Sequence, residues 1–188
     1  MKLFDINYIP SRNSWLLNTS NSGKLQEFER LFGRYGIALA ASKRDLPEIA
    51  ADPVLVAVHK AAQVEEGVLI EDTSLEVEDA EVGIQVRALL DTLDDYAGNR
   101  AVWRTLLAYR QGDLVYVYEG RVDGTIVHPR GEGGFGFDPV FLPDGAEFTL
   151  AESKPDSVNA WAKAVDALIQ NNVYAKMPPL AEWEGRWQ

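Results

Sequence analysis

Glu71 and Asp72 stand side by side, directly after the apolar run Val68-Leu69-Ile70 and just before Thr73 and Ser74. Apolar residues bounded by Gly67 and then broken by charge predict a short buried strand whose end delivers two carboxylates into a cleft. Such a pair can anchor magnesium, which takes one or two carboxylates and completes its shell with water and phosphate oxygens. Standing alone, the pair also fits a solvated acidic turn, because charged side chains usually sit in water. A second chemical feature lies upstream. Thr19-Ser20-Asn21-Ser22-Gly23-Lys24 is a small, polar stretch between a predicted strand at Trp15–Thr19 and a helical pattern made by Leu25, Phe28, Leu31 and Phe32. Free backbone N–H groups and the helix dipole make such a junction an anion site, and Lys24 adds a full positive charge. A plain helix cap accounts for the same residues.

The elements that must position these groups follow in order. After Gly36 ends the first helix, Ile37–Ala41 reads as a second strand and Leu46-Pro47-Glu48-Ile49 as a loop. Asp52-Pro53 opens a second helix, carrying His59 and Lys60 and stopping near Gly67, with proline in the first turn where its missing N–H costs least. The order βαβαβ favours an α/β or mixed architecture. A short helix is expected within Gly83–Asp95. Val102–Tyr109 and Leu114–Glu119 form a predicted hairpin around Arg110-Gln111-Gly112-Asp113, with a separate strand at Arg121–Val127. The glycine-rich run Gly131–Pro139 contains Phe135 and Phe137, and holds backbone close to something flat or simply turns tightly. A last helix is predicted over Val158–Gln170, and the tail ends with Trp183 and Trp187, which suggest docking onto the domain or a partner.

Composition narrows the function classes. The 188 residues suit one domain, and 46% hydrophobic with 25% charged residues supports a packed core. A net charge of -11 argues against a nucleic-acid polymer as partner, since neutralising a phosphate backbone requires a basic face. The absence of cysteine excludes disulfides and thiolate metal sites. Residues 1–14 are polar, and no run approaches the roughly 18 apolar residues of a membrane span, so a soluble, cytoplasmic protein is the expectation.

Four stretches, in order, resemble the inosine triphosphate pyrophosphatase family. Thr19–Lys24 is similar to its Thr-Gly-Asn-x-x-Lys loop. Leu46-Pro47-Glu48, twelve residues before Lys60, is similar to its metal-glutamate segment and phosphate-binding lysine. Glu71-Asp72-Thr73 resembles its acidic centre, and Gly134-Phe135-Gly136-Phe137-Asp138-Pro139 its base loop. The resemblance implies an α/β fold with an elongated mixed central sheet, flanking helices and two lobes around a nucleotide cleft. It also implies a homodimer and magnesium-dependent hydrolysis of a nucleoside triphosphate to the monophosphate and pyrophosphate. On that basis residues 15–170 form the pyrophosphatase domain, with 1–14 an extension and 171–188 a tail. Glu48, Glu71 and Asp72 would hold magnesium. Asp72 would act on the attacking water, together with Glu71 and Lys24. Thr19, Ser20, Asn21, Ser22, Gly23, Lys24 and Lys60 would take the phosphates. Phe135, Gly136, Phe137, Asp138 and Thr73 would meet the nucleoside.

The sequence departs from the family on the base side. Asn159-Ala160-Trp161 occupies the place of the family's Ser-His-Arg triplet, so Ala160 and Trp161 stand where a purine 6-oxo group would be read. Hydrogen-bonding sites discriminate between bases far more sharply than apolar surfaces do, and the expected specificity is therefore altered from inosine and xanthosine. Trp161 fits a core position as well as a pocket wall. Lys154 falls near the family's preceding lysine, one residue out of register. Arg87 is placed as the substitute for a basic residue after a Pro-Gly turn that is missing at Val82-Gly83, and the shortened segment Gly83–Arg100 bears on the dimer contact. A nucleotide-binding or regulatory protein without turnover is the alternative class. Maf-like pyrophosphatases are a more distant resemblance that accounts less well for Phe-Gly-Phe-Asp.

Overall fold

The computed structural model describes residues 12–80, 86–134 and 136–188. Expectations placed on residues 1–11, on the Val82-Gly83 turn, on Phe135 and on the Arg87 side chain lie outside the described residues.

The chain alternates strands and helices as its periodicity predicts. β1 (Ser14–Asn18) buries Trp15 and Leu17 on one face. α1 (Ser22–Gly33) buries Phe28, Leu31 and Phe32, and β2 (Ala38–Ser42) returns parallel to β1 with Trp15 opposite Leu39. α2 (Pro53–Ala62) begins at Asp52, whose carboxylate accepts from Val54 N and Leu55 N, with proline at the first helical position as anticipated. β3 is Ile70–Val77, followed by the short helices α3 (Val86–Asp91) and α4 (Leu93–Tyr96). The long pair β4 (Arg100–Gln111) and β5 (Leu114–Ile126) turns through Gly112 and Asp113. β6 (Phe141–Pro143), α5 (Ala160–Ile169) and β7 (Ala175–Met177) complete a mixed α/β fold. The larger sheet runs β3-β4-β5-β6, with β7 antiparallel on β5; β1 and β2 form a two-stranded sheet, bridged from Leu17 to Leu69.

Two expectations are corrected here. The strand at Val68–Ile70 does not end at the carboxylates. β3 starts at Ile70 and continues to Val77, so Glu71 and Asp72 are its second and third residues. Thr73, Leu75 and Val77 sustain a strand pattern beyond the charges, and β4 supplies the neighbouring ladder. The separate strand at Arg121–Val127 is likewise part of β5, which passes unbroken through Gly120. That glycine marks a close approach rather than a break, because a Cβ there would collide with the Ala160 carbonyl at the start of α5.

The chain divides into two compact units. The first holds the residues up to Asp72 together with Leu106–Glu119 and Val165–Gln188; the second holds Thr73–Thr105 and Gly120–Ala164. The core of the first packs Ala57, Val58 and Ala61 of α2 with Val68, Ile70, Leu106, Ala108, Val115 and Val117. The second is centred on buried Trp103, Ile126, Val140, Phe141 and Leu150. Among the described residues no helix is long and apolar enough to cross a membrane.

Candidate active site

The first unit gathers five of the predicted charged residues. Successive residues of a strand point to opposite faces, and this alternation hands Glu71 and Asp72 to different cations. Lys24, in the first turn of α1, donates from Nζ to Glu71 Oε2 at 2.9 Å. Lys60, near the end of α2, donates to Asp72 Oδ1 at 2.9 Å and lies 2.6 Å from Glu48 Oε1. One ammonium therefore binds the loop carboxylate and the strand carboxylate together. Lys60 is buried, and burial works to lower its pKa, yet the charges of Asp72 and Glu48 outweigh it and hold the ammonium above the ordinary lysine range. Asp72 is shifted against its charged form. Burial pushes its pKa up against the pull of Lys60, and neighbouring Glu71 and Glu48 add to the rise.

The Thr19–Gly23 loop has the local structure of a helix entrance. Asn21 is the cap of α1, its side-chain oxygen accepting from Lys24 N at 3.0 Å, and Thr19 Oγ1 accepts from Asn21 N at 3.1 Å. The first turn of α1 carries no acidic residue. The N-terminal end of its helix dipole thus meets no acidic side chain in its own first turn.

The donor set suits a hard cation. It is all carboxylate oxygen, with no cysteine in the chain to favour a softer metal. Among the described residues no three carboxylate or imidazole side chains converge on one point, as the alternation of Glu71 and Asp72 requires. Magnesium places no such demand, since it binds through one or two carboxylates with substrate phosphates.

The second unit gathers the predicted nucleoside side. Asp138 opens a short 3-10 turn (Asp138–Val140), is nearly inaccessible, and is paired with Lys154 at 2.5 Å. Gly134 has φ +72, and a Cβ there would strike the Asp138 carboxylate, so this position of the loop requires glycine. Gly136 also has positive φ, and Phe137 is buried against Trp103 with ring centroids 5.7 Å apart. Trp161 is buried, and its indole N–H donates to Thr73 Oγ1 at 3.0 Å; Thr73 in turn meets Thr105 Oγ1 at 3.1 Å. Asn159, also predicted to bind substrate, caps α5 with its side-chain oxygen on Trp161 N at 3.0 Å.

Sequence reasoning passed over Trp103 and Thr105. Trp103 packs edge-on to both Phe137 and Trp161, and the Lys154 ammonium stands 5.5 Å from the Trp103 ring and 5.8 Å from that of Trp161. Its own buried indole N–H has no hydrogen-bond acceptor among the described residues. The available signal was the spacing of Trp103 and Thr105, two apart on β4 and so on one face of the sheet.

A Ham1 family profile matches residues 15–171. An inosine triphosphate pyrophosphatase of Batrachochytrium dendrobatidis is 36% identical over 80% of this chain and 87% of its own length. A dITP/XTP pyrophosphatase of Thermococcus kodakarensis is 32% identical over 75% of this chain and 85% of its own. Among solved structures, a nucleoside-triphosphatase / dITP/XTP pyrophosphatase from Mycobacterium abscessus superposes with a TM-score of 0.54 at 26% identity, covering 85% of this chain and 96% of that one. The chain belongs to the Ham1 family, and it is a hydrolase of the nucleoside triphosphate pyrophosphatase class.

Proposed function

We propose that the protein is a magnesium-dependent enzyme of nucleotide-pool sanitation, cleaving the α–β phosphoanhydride of a nucleoside triphosphate to the monophosphate and pyrophosphate. It acts as a cytoplasmic homodimer, and its base preference departs from the inosine, dITP and XTP for which its relatives are named. The observation that carries the reading is the Lys60 ammonium held between Glu48 and Asp72, with Lys24 on Glu71.

In this mechanism one or two of Glu48, Glu71 and Asp72 would hold magnesium, which would supply charge neutralisation for the triphosphate and the leaving pyrophosphate. Lys24, Lys60 and the amides of the Ser20–Gly23 turn bind phosphate oxygens. Asp72 accepts the proton of the attacking water as the new oxygen–phosphorus bond forms and the bridging bond breaks. Its raised pKa makes it a stronger base than an exposed aspartate.

On the base side, Phe137 flanks the ring, and Asp138 with Lys154 offers an acceptor and a donor. The indole N–H of Trp161 is already bonded to Thr73. That bond supports altered specificity, because the side chain standing where the family reads a 6-oxo group spends its donor within the protein. The deciding experiment is pyrophosphate release, with magnesium, from a panel of canonical, deaminated and modified triphosphates. The reading requires turnover of at least one member and loss of that turnover in Asp72→Asn. No metal-dependent pyrophosphate from any member refutes it, and turnover of inosine triphosphate far above all others refutes the altered specificity.

A further inference from the structure

Residues 43–48, which carry Glu48, form neither helix nor strand, so the position of that carboxylate depends on what holds its backbone. The C-terminal tail does so. Ile49 and Trp187 form an antiparallel bridge. Gln188 N donates to Glu48 O at 2.9 Å, Ala50 N donates to Arg186 O at 2.8 Å, and Gln188 Nε2 donates to Ile49 O at 2.9 Å. Three successive residues of the Glu48 segment are thereby tied to residues 186–188. The tail is itself braced. Trp183 Nε1 donates to Arg186 O at 2.8 Å, and Ala181 O accepts from Gln63 Nε2 at 3.0 Å. The Trp187 ring stands edge-on to His59, the neighbour of Lys60, with centroids 5.5 Å apart.

Trp187 remains 50% exposed, so it contributes modest apolar burial; what it fixes is geometry. The tail also lies beyond residue 171, where the family match ends. We propose that residues 183–188 are a positioning element of the hydrolytic half, with Trp187 its positioning residue: they hold Glu48 so that its carboxylate shares the Lys60 ammonium with Asp72 and is set to receive magnesium. This rests on the assignment of Glu48 as a magnesium ligand. Without the tail, the loop samples conformations in which Glu48 leaves Lys60, and the metal site must be assembled anew at each binding event.

The test compares the full chain with Trp187→Ala and with a chain ending at Glu184. Three measurements are made: amide hydrogen exchange at Ala50, magnesium affinity by calorimetry without nucleotide, and kcat and KM for a turned-over triphosphate. Exchange at Ala50 should quicken about tenfold. Magnesium affinity and kcat should each fall about tenfold, as for loss of an outer partner of a metal ligand, while KM and the melting temperature of Trp187→Ala stay close to wild type. If the shortened chain does not fold, Trp187→Ala carries both binding and exchange readouts. Unchanged exchange at Ala50 overturns the proposal, and so does faster exchange with unchanged magnesium affinity. Glu48→Gln with the tail intact separates the underlying assignment. If it binds magnesium as tightly as wild type, Glu48 is not a ligand and the proposal falls with that assignment. If Glu48→Gln loses magnesium and Trp187→Ala does not, the active-site reading stands and the tail proposal alone is overturned.

Discussion

The indole N–H of Trp161 donates to the hydroxyl of Thr73 at 3.0 Å, and Thr73 is the residue that follows Asp72. The first turn of α5 is thus bonded to β3 at Thr73. Trp161→Phe removes the donor but keeps an aromatic ring against Trp103. It is expected to cost about 1 kcal/mol of stability, the net worth of one hydrogen bond. Trp161→Arg should cost more, about 3–5 kcal/mol, by burying an uncompensated charge beside Lys154. Urea midpoints of the two variants check the ranking. Equal midpoints would mean that this position accepts a guanidinium beside Lys154.

Asp138 and Lys154 form an enclosed ion pair in the second unit, with the carboxylate side chain 4% exposed. Lys154→Met should destabilise the protein by about 3–5 kcal/mol, since it strands a buried charge. Adding Asp138→Asn should recover most of that loss, and the coupling is read from the double-mutant cycle. Additive losses would show that the two groups do not depend on each other. In the panel assay the double variant should keep pyrophosphate release and lose discrimination among bases, which separates this pair from the hydrolytic half.

The charged residues that the first unit brings together were legible as candidates because their sequence signals are local. Lys24 opens a helix, Glu48 sits in a Pro-marked loop, and Lys60 follows twelve residues later on the next helix. Their pairing was not legible, because which lysine meets which carboxylate depends on strand alternation, and the strand was expected to stop at Ile70. Gly120, between the two strands predicted at Leu114–Glu119 and Arg121–Val127, is a related case. A glycine reads as punctuation in sequence, whereas here it lets the start of α5 approach β5, a tertiary cause invisible from one segment. Asn159 was expected in the pocket and serves as the cap of α5, a role that its place just before the helical stripe allowed. Trp103 stayed hidden among the apolar residues of a long strand, and the partner of the Trp-containing tail could not be named without the Ile49 bridge.

Removing Lys60 tests the electrostatics of the shared ammonium. Lys60 lowers the Asp72 pKa, so Lys60→Met leaves burial, Glu71 and Glu48 to raise it unopposed. If Asp72 is the base, the acid limb of the kcat/KM profile should move to higher pH in Lys60→Met, beyond any fall in the plateau. A lowered plateau with an unmoved limb would assign Lys60 to phosphate binding alone.

The raised pKa of Asp72 also makes a signed statement about stability. Its folded value lies above the ordinary 3.8, so its favourable contribution is fully present below that value and is lost as pH rises through the folded pKa. Once ionised, the buried carboxylate is a cost that the fold bears for the site. Asp72→Asn removes this titration. The stability difference between variant and wild type should therefore shift in favour of the variant as pH climbs from 3.8 through the folded pKa, and level off above it. Urea unfolding of both chains from the acid range to neutrality, in the presence of a magnesium chelator, measures the shift, and the same variant should release no pyrophosphate. A difference that stayed flat, or moved toward the wild type, would place Asp72 at an unshifted or lowered pKa and remove the physical basis for its role as base.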